Sequence, residues 1–138
     1  MHLVAITYTW RGDVTNDELN RLHAEAFDTR FYAADEWNWV ALLNEHSLGW
    51  VVARDGEVLA GFVNVLWDGL MHAWLQDTMV ATDERHRGVG TQLVKAAIEE
   101  TRAAGCGWLH VDFEGQLRPF YLDACGFSPT DAGLIALR

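Results

Sequence analysis

The segment Arg85-His86-Arg87-Gly88-Val89-Gly90-Thr91 sets two arginines, a histidine and two glycines at the mouth of a helical run. The first N–H groups of a helix have no partner inside it, and they carry the positive end of the helix dipole. Glycine removes side chains that would block a ligand, and arginine adds charge. A turn of this kind, fed by a strand, is built to hold a phosphate or pyrophosphate. The spacing is neither the GxxxxGK[ST] of a Walker A loop nor the GxGxxG of a dinucleotide fingerprint. A surface turn merely shaped by Gly and Arg is the bland alternative.

Other groups could move protons. Asp77, Asp112 and Glu114 offer carboxylates, each with an alternative reading as a solvated or salt-bridged surface group. Alternation along Trp108–Glu114 places Asp112 and Glu114 with Trp108 and His110, opposite Leu109, Val111 and Phe113. His, Cys and carboxylates nowhere cluster at metal-ligand spacing, so no metal is expected. Cys106 and Cys125 have no CxxC spacing, and they read as reduced structural thiols of a cytoplasmic protein.

The elements that must position these groups follow from the pattern. The chain has 138 residues, half of them hydrophobic and seven of them Trp, which suits one domain over 1–138 with a real core. A net charge of −10 argues against nucleic acid or an anionic membrane as partner and is compatible with a cationic substrate. No stretch has the apolar length of a membrane span, and MHLVAITYTWRGD lacks the basic and apolar regions of a secretory leader.

Residues 3–9 read as an opening strand. A helix follows from a cap at Thr15 or Asn16, with Leu19, Leu22, His23, Ala26 and Phe27 on one face. DEWNWVALLNEH reads as a second helix. LGWVVARDGEVLAGFVNVLWDG reads as a hairpin turning at Asp55-Gly56, and Met71–Ala81 as a third long strand. The helix after the glycine turn buries Val89, Leu93, Val94, Ala97, Ile98 and Thr101 and stops at Gly105. WLHVDFE is a strand, LRPFYLDACGF a short helix and GLIALR a closing strand. The sum is an α/β or α+β sheet with helices on its faces.

RHRGVG resembles the [Q/R]-x-x-G-x-[G/A] motif of the GNAT superfamily of acyl-CoA N-acyltransferases. The preceding DTMV resembles that family's strand end, and PFYLDACGF its second motif. The resemblance runs over roughly residues 50–130. It implies a mixed, mostly antiparallel sheet splayed into a V-shaped cleft, with acetyl-CoA as co-substrate. It implies that the cofactor meets Met79, Val80 and Ala81 along the strand, Arg85 to Thr91 at the turn, and Phe120. A backbone N–H near Val80 would face the thioester oxygen. Acetyl would pass directly to a primary amine, with Tyr121 as general acid and Asp77 as a candidate base, or a water chain in place of a base. The family commonly has Glu one residue before Asp77, where this chain has Gln76. Tyr121 stands five residues before Gly126 rather than the usual four, a rotation of about 100° on a helix.

Of the tryptophans in the segments that wall the family's acceptor pocket, Trp37 and Trp74 are read as acceptor contacts, with Asp112 and Glu114 near them. Such a wall suits a cationic amine, a small molecule or a peptide. Filling the core is the alternative for most of these tryptophans. A homodimer is a further expectation. The rival reading is a non-catalytic acyl-CoA-binding module on the same fold, and a third is a different nucleotide binder.

Overall fold

A computed structural model describes residues 5–138. Five strands form one sheet in the order β1-β2-β3-β4-β5: β1 Ile6–Trp10, β2 Ser47–Asp55, β3 Val58–Trp67, β4 His72–Val80 and β5 Trp108–His110. Neighbours are antiparallel except β4 and β5, which run parallel. The helices are α1 Asn16–Phe27, α2 Trp39–His46 and α3 Val89–Ala103. No helix among the described residues is long and apolar enough to cross a membrane.

Helix α3 covers one face of the sheet. Its Val89, Leu93, Val94 and Ala97 pack with Val51, Ala53, Val63, Val65, Ala73 and Leu75. The predicted stripe is buried except at Ile98, which is half-buried. Gly61 permits the close approach. A Cβ there would lie 2.9 Å from Leu93 Cδ1 and 3.0 Å from Met79 O. The other face is covered by α1 and α2 through Leu19, Leu22, Trp39 and Leu43, against Val52, Phe62 and Met79.

Helix α1 starts where the cap was expected, at Thr15. The Thr15 hydroxyl accepts from Glu18 N–H, and Glu18 reaches back to Thr15 N–H at 3.1 Å. The same carboxylate takes two bonds from Arg54, at 2.6 and 3.0 Å, which ties the helix start to β2. That pairing holds the Glu18 carboxyl below its ordinary range.

Several expectations change. The opening strand extends to Trp10, and its first predicted residues, 3–4, lie outside the described residues. Helix α2 begins only at Trp39, because Asn38 caps it by accepting from Ala41 N–H at 3.0 Å. Trp37 therefore sits in the preceding turn, and Trp37 and Trp39 do not share a helix. Phe27, expected on the buried face of α1, is 47% exposed at the helix end. Only three residues of WLHVDFE pair with β4. GLIALR forms no strand: the described chain after Phe127 has no regular structure and lies exposed.

Candidate active site

The register of β4 makes the site. On β3, Phe62 pairs with Met79 and Asn64 pairs with Gln76, so Asp77 and Thr78 together stand opposite Val63. This is a β-bulge, with Asp77 as its left-handed residue at φ +59°. Aspartate tolerates that conformation better than most side chains do. The extra residue switches faces. Ala73 and Leu75 pack under α3, whereas Met79 packs under α1 and α2.

The sheet opens on the other edge of β4, just before the bulge. β4 and β5 pair only at His72–Trp108, Ala73–Leu109 and Trp74–His110. From Leu75 on, the β5-facing edge of β4 has no strand beside it among the described residues. Ala81 N–H donates to Ala60 O at 2.8 Å, so alternation turns the Val80 amide away from β3, toward that edge. The edge leads to the start of α3.

There a pocket of about 270 Å³ is lined by Val80, Glu84, Arg85, His86, Gly88, Val89, Gly90, Thr91 and Phe120. Gly88 caps the helix at φ +74°, a left-handed conformation that a Cβ would strain. The first amide of α3 to bond back is Gln92, to Gly88 O at 3.1 Å. The amides of Val89, Gly90 and Thr91 precede it and have no acceptor within the helix. At Gly90 a Cβ would come within 3.3 Å of the Phe120 ring. Glycine there leaves room for the Phe120 ring to pack against the helix start. These features fit a pyrophosphate and its adjoining chain.

The predicted cofactor residues divide three ways. Val80, Arg85, His86, Gly88, Val89, Gly90, Thr91 and Phe120 line the pocket. The Met79 side chain is buried under α1, and Ala81 is half-buried beside it, so both can offer only backbone. The Arg87 guanidinium turns out of the pocket, to Glu84 and to Asp55 at 3.2 Å.

Tyr121 lies in a turn closed by a wide i→i−5 bond, Cys125 N–H to Phe120 O at 3.0 Å. A turn of that width takes up one more residue than an α-helical turn. It absorbs the fifth residue between Tyr121 and Gly126. The phenol is buried, stacks on Phe113 with ring centroids 4.9 Å apart, and donates to Thr78 Oγ1 at 3.1 Å. It thereby meets the bulge. Burial pushes the Tyr121 phenol above its ordinary value, against the hydrogen bond to Thr78, so it holds its proton at neutral pH. Burial also raises Asp77, to about 6, next to Thr78 in the chain.

The acceptor set is not brought to one place. Trp37 is 46% exposed and stacks on His23, with Tyr32 and Trp39 beside it. Trp74 stacks on His110 with centroids 4.9 Å apart, and His110 shares a hydrogen bond with His72 at 2.7 Å. Leu109, Val111 and Phe113 pack into the core under α3. The exposed Asp112 and Glu114 alternate with them and so lie on the side of Trp74 and His110. Sequence reasoning missed Thr78, Glu84 and Glu25, whose carboxylate accepts from Thr82 N–H. A short polar run before the glycine turn signals Glu84, and nothing local marks Thr78 or Glu25.

A strand edge released by a splayed parallel neighbour runs onto an unblocked helix start, so the groove ends on an anion pocket. The model of the acetyltransferase (GNAT) family matches residues 13–127, and the chain belongs to that family. It is an acetyltransferase. No curated protein matches its sequence. Among solved structures it is similar to a GNAT family acetyltransferase of Streptococcus pneumoniae TIGR4, with 21% identity, TM-score 0.75, and 97% and 98% of the two chains covered. It is also similar to glucosamine-6-phosphate N-acetyltransferase of Arabidopsis thaliana, at 15% identity, TM-score 0.70, and 94% and 97% coverage. AAC(6')-Iy in complex with the bisubstrate analogue CoA-S-monomethyl-acetylneamine has 18% identity, TM-score 0.73, and 97% and 98% coverage. At these identities the likeness is one of fold.

Proposed function

We propose that the chain is one N-acetyltransferase domain that uses acetyl-CoA to acetylate a primary amine of a small molecule or peptide. The observation that carries this is the continuous path from the free edge of β4, past Tyr121, to the pocket at the start of α3. The amides of Val89, Gly90 and Thr91, with Arg85 and His86, would hold the pyrophosphate. The β4 edge at Val80 would hold the pantetheine arm. When bound, acetyl-CoA supplies an activated acetyl thioester.

The chain's own residues handle the protons. Asp77, raised toward neutrality by burial, takes one from the arriving ammonium, directly or through water. Tyr121 gives one to the leaving thiolate, with its phenol held beside β4 by the bond to Thr78. Trp74, Asp112 and Glu114 would present an aromatic and acidic face to the amine, with Trp37 at a separate aromatic group. Two similar structures bear on the acceptor class, since their names print glucosamine-6-phosphate and an acetylneamine. Leu134, Ile135 and Leu137, at 88%, 82% and 91% exposed, support a homodimer in which a second copy covers them.

The test is release of coenzyme A thiol from acetyl-CoA across a panel of primary amines. Amine-dependent release is expected. Acetyl-CoA binding with no release for any amine would leave a binding module in place of an enzyme.

A further inference from the structure

The Arg87 guanidinium does not face the pocket. Its Nη1 donates to Glu84 within the same turn and to Asp55 Oδ2 at 3.2 Å, at the tip of the β2–β3 hairpin. Both carboxylates are nearly covered, with side-chain exposures of 11% for Glu84 and 10% for Asp55. A guanidinium that donates to two nearly covered carboxylates is held between them, which ties the turn to the hairpin. The start of the same turn is held from another side, where Thr82 N–H donates to the Glu25 carboxylate of α1. Between these ties the backbone passes through two left-handed residues, His86 at φ +71° and Gly88 at φ +74°. For histidine that conformation is costly and persists only where the surroundings enforce it.

We infer that Arg87 is a positioning residue, which braces the turn 82–88 against the β2–β3 hairpin through Asp55 and Glu84 and so presets the amides of the anion pocket. This rests on the reading of that pocket as the coenzyme A site. The opposite assignment makes Arg87 a phosphate ligand, with the two carboxylates competing for it.

The two accounts predict opposite signs for Asp55→Asn. If Arg87 is a ligand, removing a competing carboxylate strengthens coenzyme A binding. If Arg87 is a brace, the same change weakens it. The experiment measures hydrogen exchange of the bonded amides that bracket the turn, Glu84, Arg85 and Gln92, in ligand-free protein, and calorimetric affinity for coenzyme A, in wild type, Asp55→Asn, Arg87→Gln and the double variant. The brace predicts faster exchange at these three amides in each single variant and an affinity loss of roughly five- to tenfold in each. The double variant should be no worse than either, because both break one link. Unchanged exchange at the Glu84, Arg85 and Gln92 amides, or tighter binding in Asp55→Asn, overturns the brace. A wild type that ignores coenzyme A would sink the cofactor reading instead, with the exchange result still deciding the brace. Thermal melts of each variant identify any that fail to fold. For such a case Glu84→Gln supplies the second break in the same link, with the same exchange and binding outcomes expected.

Discussion

At the scale of single residues the account rests on two proton carriers and one bulge. Tyr121→Phe deletes only the hydroxyl, leaving the ring to stack on Phe113. We predict a drop in turnover of about 10²-fold with little change in acetyl-CoA affinity, read from kcat against Kd. Asp77 carries a pH signature. Its native value of about 6 lies above its ordinary 3.8, so between those values the folded state binds the extra proton. Its contribution to stability is therefore present at low pH and is lost as pH rises through about 6. Activity runs the other way, because the base must be ionised. Asp77→Asn should flatten the acid limb of the pH–rate profile, lower turnover by about 10²-fold, and remove this group's pH dependence from urea-measured stability. An unchanged acid limb would assign the base elsewhere.

These residues were unevenly legible. Tyr121 and the glycine turn stand in contiguous motifs, so their types and spacing expose them. The bulge at Asp77 is not marked by the glycine that a left-handed position usually takes. The bond from Tyr121 to Thr78 spans 43 residues, and that from Arg87 to Asp55 spans 32. No local pattern encodes either.

At the scale of elements, the periodic runs declared themselves. The α3 stripe, the Asp55-Gly56 hairpin and the Thr15 cap all stand where residue pattern and capping chemistry put them. Elements whose limits depend on distant neighbours did not. WLHVDFE alternates throughout like a strand, yet pairs for three residues because β4 and β5 part after Trp74 and His110. The wide turn at Phe120 answers a one-residue excess that the sequence showed without showing its remedy. The helix start also carries a prediction. Gly88→Ala should cost about 1 kcal/mol in chemical denaturation, from the left-handed backbone alone. Gly90→Asp should leave stability less affected but weaken coenzyme A at least tenfold, by charge and by crowding Phe120. Equal affinity in Gly90→Asp and wild type would remove the pocket from the cofactor's path.

At the scale of the whole molecule, the excess of acid is the frame for a local exception. The chain carries −10 overall, while the α3 start offers open amides beside Arg85, which makes no ion pair among the described residues. An acidic surface favours a cationic acceptor, and the local site favours an anionic cofactor. The exposed apolar run near residue 135 has its own consequence. Sedimentation should show a dimer that Ile135→Asp with Leu137→Asp shifts toward monomer; a monomeric wild type would remove that part of the account. The central claim is that the turn at Arg85 to Thr91 and the free edge of β4 receive acetyl-CoA. Thermal unfolding with acetyl-CoA, coenzyme A, ATP and NAD tests it most directly, because a ligand that binds only the native state must raise the melting temperature. The account predicts a clear rise with acetyl-CoA and coenzyme A and little with ATP or NAD. No rise at saturating acetyl-CoA, or an equal rise with NAD, would contradict it.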